Sequence, residues 1–161
     1  MKHILSVLVE NKPGVLSRVT GQISRRGFNI ESLTVAPTED PTMSRLTAIV
    51  NADEVGYEQI TKQLHKLVSV YKISDLTDEA AIERELALFK VTAPPERRHE
   101  IIEIANVFRA KIVDVGRLSL TIEATGDESK LGAMEDLFRA YGIKQITRTG
   151  KIAMGRSSKE Q

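Results

Sequence analysis

Three features of this sequence predict an α+β protein of two strand–helix–strand–strand–helix–strand units, each a four-stranded antiparallel sheet with two helices on one face. Apolar periodicity alternates between strand-like and helix-like runs in that order up to Leu76. The same succession recurs from Glu85. Between them lies a short acidic stretch, Thr77-Asp78-Glu79-Ala80-Ala81. The expected organisation is a first domain over 1–76, a linker over 77–84, a second domain over 85–155 and a disordered tail over 156–161.

The elements follow in order. His3 to Val9 is almost continuously apolar, which predicts a central strand buried on both faces. The loop Glu10-Asn11-Lys12-Pro13-Gly14 leads into a helix with Val15, Leu16, Val19 and Ile23 on one side and Arg18, Gln22, Arg25 and Arg26 on the other. Pro13 suits the first turn of that helix, and Gly27 suits its C-terminal cap. Phe28–Ala36 and Ser44–Val50 read as strands joined by the turn Pro37-Thr38-Glu39-Asp40-Pro41. Val55, Ile60, Leu64, Leu67 and Val68 mark a second helix opening near Asp53-Glu54, and Val70–Leu76 a fourth strand. This is the split βαβ, or ferredoxin-like, order.

In the second half, Glu85–Thr92 is a strand, and Pro94-Pro95 leads a helix carrying Ile101, Ile104, Ala105 and Phe108. Lys111–Val115 and Leu118–Ala124 flank a Gly116-Arg117 turn, and the latter strand alternates cleanly enough to have one wet face. Thr125-Gly126-Asp127 caps a helix with Leu131, Met134, Phe138 and Tyr141, and a last strand starts at Ile143. The two halves repeat a pattern, not a sequence.

Composition removes several function classes. The absence of Cys excludes disulfides, thiolate metal sites and Cys nucleophiles. Aromatics are only 4% and the net charge is +1, with neither half strongly basic, which argues against nucleic-acid binding. No apolar run approaches the roughly 20 residues of a membrane helix, so a cytoplasmic, soluble chain is expected. His3, His65 and His99 show no metal-ligand spacing, and no nucleophile elbow or Gly-rich phosphate motif is present. No catalytic or metal-binding residue is therefore assigned. Among ferredoxin-like functions, an RNA-recognition module lacks its stacking aromatics on Ser44–Val50, and a copper chaperone lacks its cysteines. An acylphosphatase-like enzyme lacks the loop arginine, and is a distant third reading. Ligand binding and pure protein interaction remain.

The stretch Glu10–Leu33 carries the ligand reading. Backbone N–H groups around Gly14, Val15 and Leu16 could take a carboxylate at a helix start, where the dipole favours an anion. The amide oxygen of Asn11 or Asn29 could accept from an ammonium, with Ile30 or Leu33 lining an aliphatic pocket. The plain alternative makes Asn11 a turn residue, Gly14 a packing necessity and Asn29 the residue after a glycine cap.

The run Val7-Leu8-Val9-Glu10-Asn11-Lys12-Pro13-Gly14-Val15-Leu16-Ser17-Arg18 resembles the first strand and loop of ACT domains, the amino-acid-sensing modules of metabolic enzymes. The run from Arg26 through Gly27-Phe28-Asn29-Ile30-Glu31-Ser32-Leu33 to Pro41 resembles the signature of the small regulatory subunit of acetolactate synthase (acetohydroxyacid synthase). Ser44–Thr47, Gln63–Leu67 and Glu83–Leu86 extend the likeness, and Phe108–Val115 is the familiar patch of the second half. Lys12-Pro13 departs from many relatives, which carry acidic or small residues there.

The resemblance implies a non-catalytic regulatory subunit. It would bind and activate a catalytic large subunit and make it sensitive to valine, or in some members to leucine or isoleucine. Thiamine diphosphate, Mg and FAD would belong to that partner, with no cofactor in this chain. It also implies a homodimer of ACT domains paired side by side. The effector would sit at the interface, with Asn11, Gly14, Val15 and Leu16 of one chain facing Asn29 and Ile30 of the other. The alternative is an assembly or activator subunit without an effector.

Overall fold

In the computed structural model, which describes residues 1–78 and 81–157, β1 (Lys2–Glu10) is the strand on which the first unit is built. It pairs antiparallel with β3 (Met43–Asn51) on one side and β4 (Val70–Asp75) on the other, and β2 (Asn29–Pro37) adds outside β3. The order is β2-β3-β1-β4, so β2 and β4 are the edges. Helices α1 (Val15–Ser24) and α2 (Glu54–His65) supply Val15, Val19, Ile23, Ile60 and Leu64 to a core shared with Leu5, Val7, Val9, Leu46, Ala48 and Val50. Alternation puts those strand residues on one face. On the other face Ser6, Thr47 and Ile49 are also buried but Ile4 and Leu8 are only half-buried, so β1 is dry against the helices and partly covered on its second face. Ser6 pairs with Thr47 and with Ser74, and Thr47 with Thr34, so a row of hydroxyls crosses that face from edge to edge.

The second unit comprises β5 (Ala81–Thr92), α3 (Arg98–Val107), β6 (Lys111–Val115), β7 (Ser119–Gly126), α4 (Glu128–Arg139) and β8 (Ile143–Arg148). Its sheet order, β6-β7-β5-β8, has the same connectivity as the first. Phe89 and Phe138 meet at 5.6 Å between ring centroids, tilted by 56°, at the centre of a core with Val91, Ile101, Leu120, Ile122, Leu131 and Met134. The chain divides into compact units of residues 1–82 with the segment from Lys151, and Glu83–Gly150. Glu79 and Ala80 of the expected linker, and Ser158–Gln161 of the expected tail, lie outside the described residues.

The predicted α+β class is the observed one; Asp127 caps α4 as expected, and Asp53, near which α2 is expected to open, caps that helix. Asp53 accepts from Gly56 N at 2.7 Å and Asp127 from Lys130 N at 2.9 Å. Three local readings differ. Pro13 precedes α1 instead of joining its first turn. Val15 N bonds Lys12 O at 3.3 Å, and Gly14 has φ 84° and ψ −10°, the third position of a type II turn with Pro13 second. α2 stops at His65, and Val68 is 95% exposed instead of extending its apolar face. A further short strand, β9 (Ile152–Gly155), follows Gly150, and Lys151 N donates to Ser32 Oγ of β2 at 2.9 Å.

Both sheets carry irregularities at matching places. Glu31 is an extra residue on β2 opposite β3, and Val113 is one on β6 opposite β7. Tyr71 is extra on β4 opposite Leu8 and Val9, and Lys144 on β8 opposite Lys90 and Val91.

Candidate functional site

Where β1 ends, the chain leaves the sheet and three backbone connections converge. Glu10 N donates to Ser69 O in the turn before β4 at 2.9 Å. Asn11 N donates to Thr42 O at 2.8 Å, and its side-chain Nδ2 to Pro41 O at 3.0 Å, in the turn between β2 and β3. That turn is held by Asp40, which accepts from Thr42 N and Oγ1; these bonds keep the Asp40 carboxyl below its ordinary pKa. Arg18 Nε reaches back to Gly14 O at 3.3 Å and Lys12 Nζ to Glu10 at 3.3 Å.

Between this loop and the edge of the sheet is a cavity of about 230 Å³. Glu10, Asn11, Lys12, Val15 and Leu16 form one wall, Val35, Ala36 and Pro37 of β2 another, and Val9, Ser44 and Leu46 line the remainder. It is smaller than the roughly 300–1,000 Å³ of pockets for drug-sized ligands, and suits a molecule of amino-acid size. Its walls are mainly aliphatic. Because Pro41 O takes the amide N–H of Asn11, the Asn11 Oδ1 is the atom left to accept from a ligand ammonium.

The sequence-predicted residues divide into two groups. Asn11, Val15 and Leu16 line the cavity. Gly14 lies beside it in the turn, and its positive φ is what demands glycine; a Cβ there would meet only the Arg18 guanidinium, at 3.6 Å. Val15 N is spent on Lys12 O, so Leu16 N is the first donor of the helix proper without an intrahelical acceptor.

Asn29 and Ile30 lie elsewhere. Asn29 pairs with Asn51, which also faces Lys2, whereas Met43 faces Glu10. At about 3.4 Å per residue these ends of β3 are roughly 27 Å apart, so one chain cannot bring both asparagines to one ligand. The wall from β2 was not singled out from sequence. Its signal is an exposed aliphatic stretch, Val35-Ala36-Pro37, at the end of an edge strand.

Among the described residues no group of three or more His, Asp or Glu is placed to hold a metal, and no helix is long and apolar enough to cross a membrane. The first unit also stacks the buried His3 ring on the half-buried Tyr57 ring, with centroids 4.0 Å apart. Among the described residues neither His3 ring nitrogen has a hydrogen-bond partner. Burial, and then the Asp75 carboxylate, push the Tyr57 phenol well above its usual pKa.

In the second unit the corresponding corner is tied by arginine. Arg98, the first residue of α3 as Val15 is of α1, places Nη2 at 3.0 Å from Ala93 O and 2.7 Å from both Gly116 O and Arg117 O.

A βαββαβ unit with a small cavity between its first loop and its edge strand has the architecture of a small-molecule-binding ferredoxin-like domain. Residues 5–72 match the model of the ACT domain of acetohydroxyacid synthase small subunits, and residues 84–157 match that of the small subunit of acetolactate synthase. The chain is 58% identical over 160 residues to the probable acetolactate synthase small subunit of Archaeoglobus fulgidus, covering 99% of this chain and all of that protein. It is 52% identical to the acetolactate synthase small subunit of Mycolicibacterium smegmatis, over 96% of this chain and 91% of that one. The crystal structure of the acetolactate synthase small subunit from Thermotoga maritima superposes with a TM-score of 0.86 at 43% identity, covering 97% and 98% of the two chains. The chain belongs to the acetolactate synthase small subunit family and is a regulatory, non-catalytic subunit.

Proposed function

We propose that this chain activates a cytoplasmic, thiamine-diphosphate-dependent acetolactate synthase large subunit and makes it inhibitable by valine, which binds between two ACT domains. The observation that carries this reading is the location of the two predicted half-sites. The cavity opens at the Pro37 end of β2, and Asn29-Ile30 sit at the other end of the same edge strand. An antiparallel pairing of two β2 edges would bring the Asn29 end of one chain against the cavity of its partner, twice, related by a two-fold axis. Leu16 N and Asn11 Oδ1 would then meet the carboxylate and ammonium, and the aliphatic side chain would lie against Val15, Val35 and Ile30.

A ligand shifts an equilibrium only through its differential affinity for two states, commonly about 1–3 kcal/mol in allosteric systems. A site split between chains provides that difference, because an isolated chain offers half the contacts. Mg and FAD, like thiamine diphosphate, would be held by the large subunit. Calorimetric titration of valine, leucine and isoleucine into the purified chain tests effector binding. A pyruvate-condensation assay with the large subunit, with and without valine, tests regulation. Activation without any heat of valine binding would instead support the effector-independent assembly subunit.

A further inference from the structure

The mainly aliphatic cavity of the first unit carries one acid and one base. Of the described residues that line it, Glu10 and Lys12 alone are charged, and Lys12 Nζ stands 3.3 Å from a Glu10 carboxylate oxygen. The main chain under the pair is fixed. Glu10 N donates to Ser69 O at 2.9 Å, Lys12 N to Glu10 O at 3.1 Å, and Lys12 O accepts from Val15 N at 3.3 Å. The second unit shows that the fold does not need these charges. Thr92 N bonds Gly142 O as Glu10 N bonds Ser69 O, and Ala93 N bonds Leu118 O as Asn11 N bonds Thr42 O. Glu10, Asn11 and Lys12 therefore match Thr92, Ala93 and Pro94. The backbone frame recurs, and the acid, the amide and the base do not. The second corner is held instead by the Arg98 guanidinium on its three carbonyls. An exposed ion pair adds little to stability, so folding alone does not account for the pair in the first loop.

What the pair offers is a complement. An α-amino acid holds its ammonium and its carboxylate on one carbon, so its two opposite charges lie side by side, as those of Glu10 and Lys12 do. With the ligand ammonium on Glu10 and the ligand carboxylate on Lys12, four charges alternate in sign. The order along the loop agrees with the neutral groups around it. Glu10 adjoins Asn11, whose Oδ1 is left to accept from an ammonium, and Lys12 is bonded to Val15, beside the Leu16 N–H. Acceptors thus stand at the β1 end of the loop and donors at the α1 end, with Val15, Val35 and Leu46 for the aliphatic side chain. A molecule with one of the two charges leaves a group unmatched: an α-keto acid brings no cation to Glu10, and an amino-acid amide brings no anion to Lys12.

Resting on the effector reading above, we propose that Glu10 and Lys12 select a zwitterionic α-amino acid for this cavity, parting from each other to take its ammonium and its carboxylate. Calorimetry on the full chain compares valine, valinamide and the α-keto acid analogue of valine, which share a side chain and differ in charge. Glu10→Gln should weaken valine about two- to fivefold and leave the keto acid no weaker than before. Lys12→Met should weaken valine by a similar factor and leave valinamide unchanged. The exchange of Glu10→Lys with Lys12→Glu restores the ion pair and keeps the melting temperature of the unliganded chain. It should nevertheless bind valine worse than either single variant, because Asn11 and Leu16 still fix the direction of the ligand; a merely structural role would not do this. Equal losses for all three ligands, no loss in either single variant, or wild-type affinity in the exchanged chain overturns the proposal and leaves the effector reading standing. No heat from valine in the wild-type chain refutes the effector reading itself, and the proposal with it.

Discussion

Gly14 offers a way to separate backbone geometry from ligand electrostatics. Its φ of 84° is one that residues with a side chain adopt at a cost of about 1–2 kcal/mol, and Asn and Asp pay less because a short polar side chain bonds locally. Gly14→Ala should therefore lower the stability of the first unit by about 1–2 kcal/mol while leaving valine affinity nearly unchanged, since the new Cβ points at Arg18 and not into the cavity. Gly14→Asn and Gly14→Asp share shape and conformational cost and differ in one charge. If the ligand carboxylate sits at the start of α1, the Asp side chain lies within about 6 Å of it. At an effective dielectric of roughly 20–80, two like charges at that distance repel by about 0.7–3 kcal/mol, or roughly 3- to 100-fold in affinity. Thermal unfolding reads the first effect and valine calorimetry the second. Equal valine affinity for the Asn and Asp variants would refute the carboxylate placement, and an Ala variant as stable as wild type would refute the turn argument.

Other outcomes are as direct. Millimolar valine should raise the melting temperature of the wild-type chain, and Asn29→Ala should diminish that rise with the mass of the free chain unchanged; a variant that fails to fold would make Asn29 structural. Tyr57 has its pKa raised in the folded state, so the proton is held there after the unfolded chain releases it near pH 10.0. The phenol's contribution is complete below that pH and declines as pH rises toward the folded value, so Tyr57→Phe should unfold at higher pH than wild type in an alkaline circular-dichroism titration. Arg98→Ala would strip the donor from three carbonyls, and urea unfolding should show a loss of about 2–4 kcal/mol confined to the second unit.

Most elements were legible because local signals agreed with tertiary need. Asp53 and Asp127 stand where caps should, and Leu118 to Ala124 alternates as a half-buried strand does. Val68 misled because an apolar residue next to Leu67 reads as core, and nothing in a helical period says that the helix has already stopped. β9 was missed because Gly150 and Gly155 bracket too few residues to form a strand pattern, and its Lys151 N partner, Ser32, is distant in sequence. At the site, the glycine and the two asparagines were visible as chemistry. The β2 wall was not, because Val35-Ala36-Pro37 becomes a wall only once β2 folds beside β3.

The bulges on the outer strands β2 and β6 have unequal consequences for adhesion. An open edge is a template on which further strands can grow, and a bulge interrupts the ladder it offers. On β2 the extra residue, Glu31, lies near one end and leaves Ser32 to Pro37 regularly paired, with Pro37 ending the run for lack of an N–H. On β6 the extra residue, Val113, falls in the middle and leaves only two paired positions on either side. The first edge is long enough to accept one well-registered strand and too short to seed a fibre. The second is spoiled as a template altogether, so of these two outer strands β2 alone offers a run on which strand addition is rewarded.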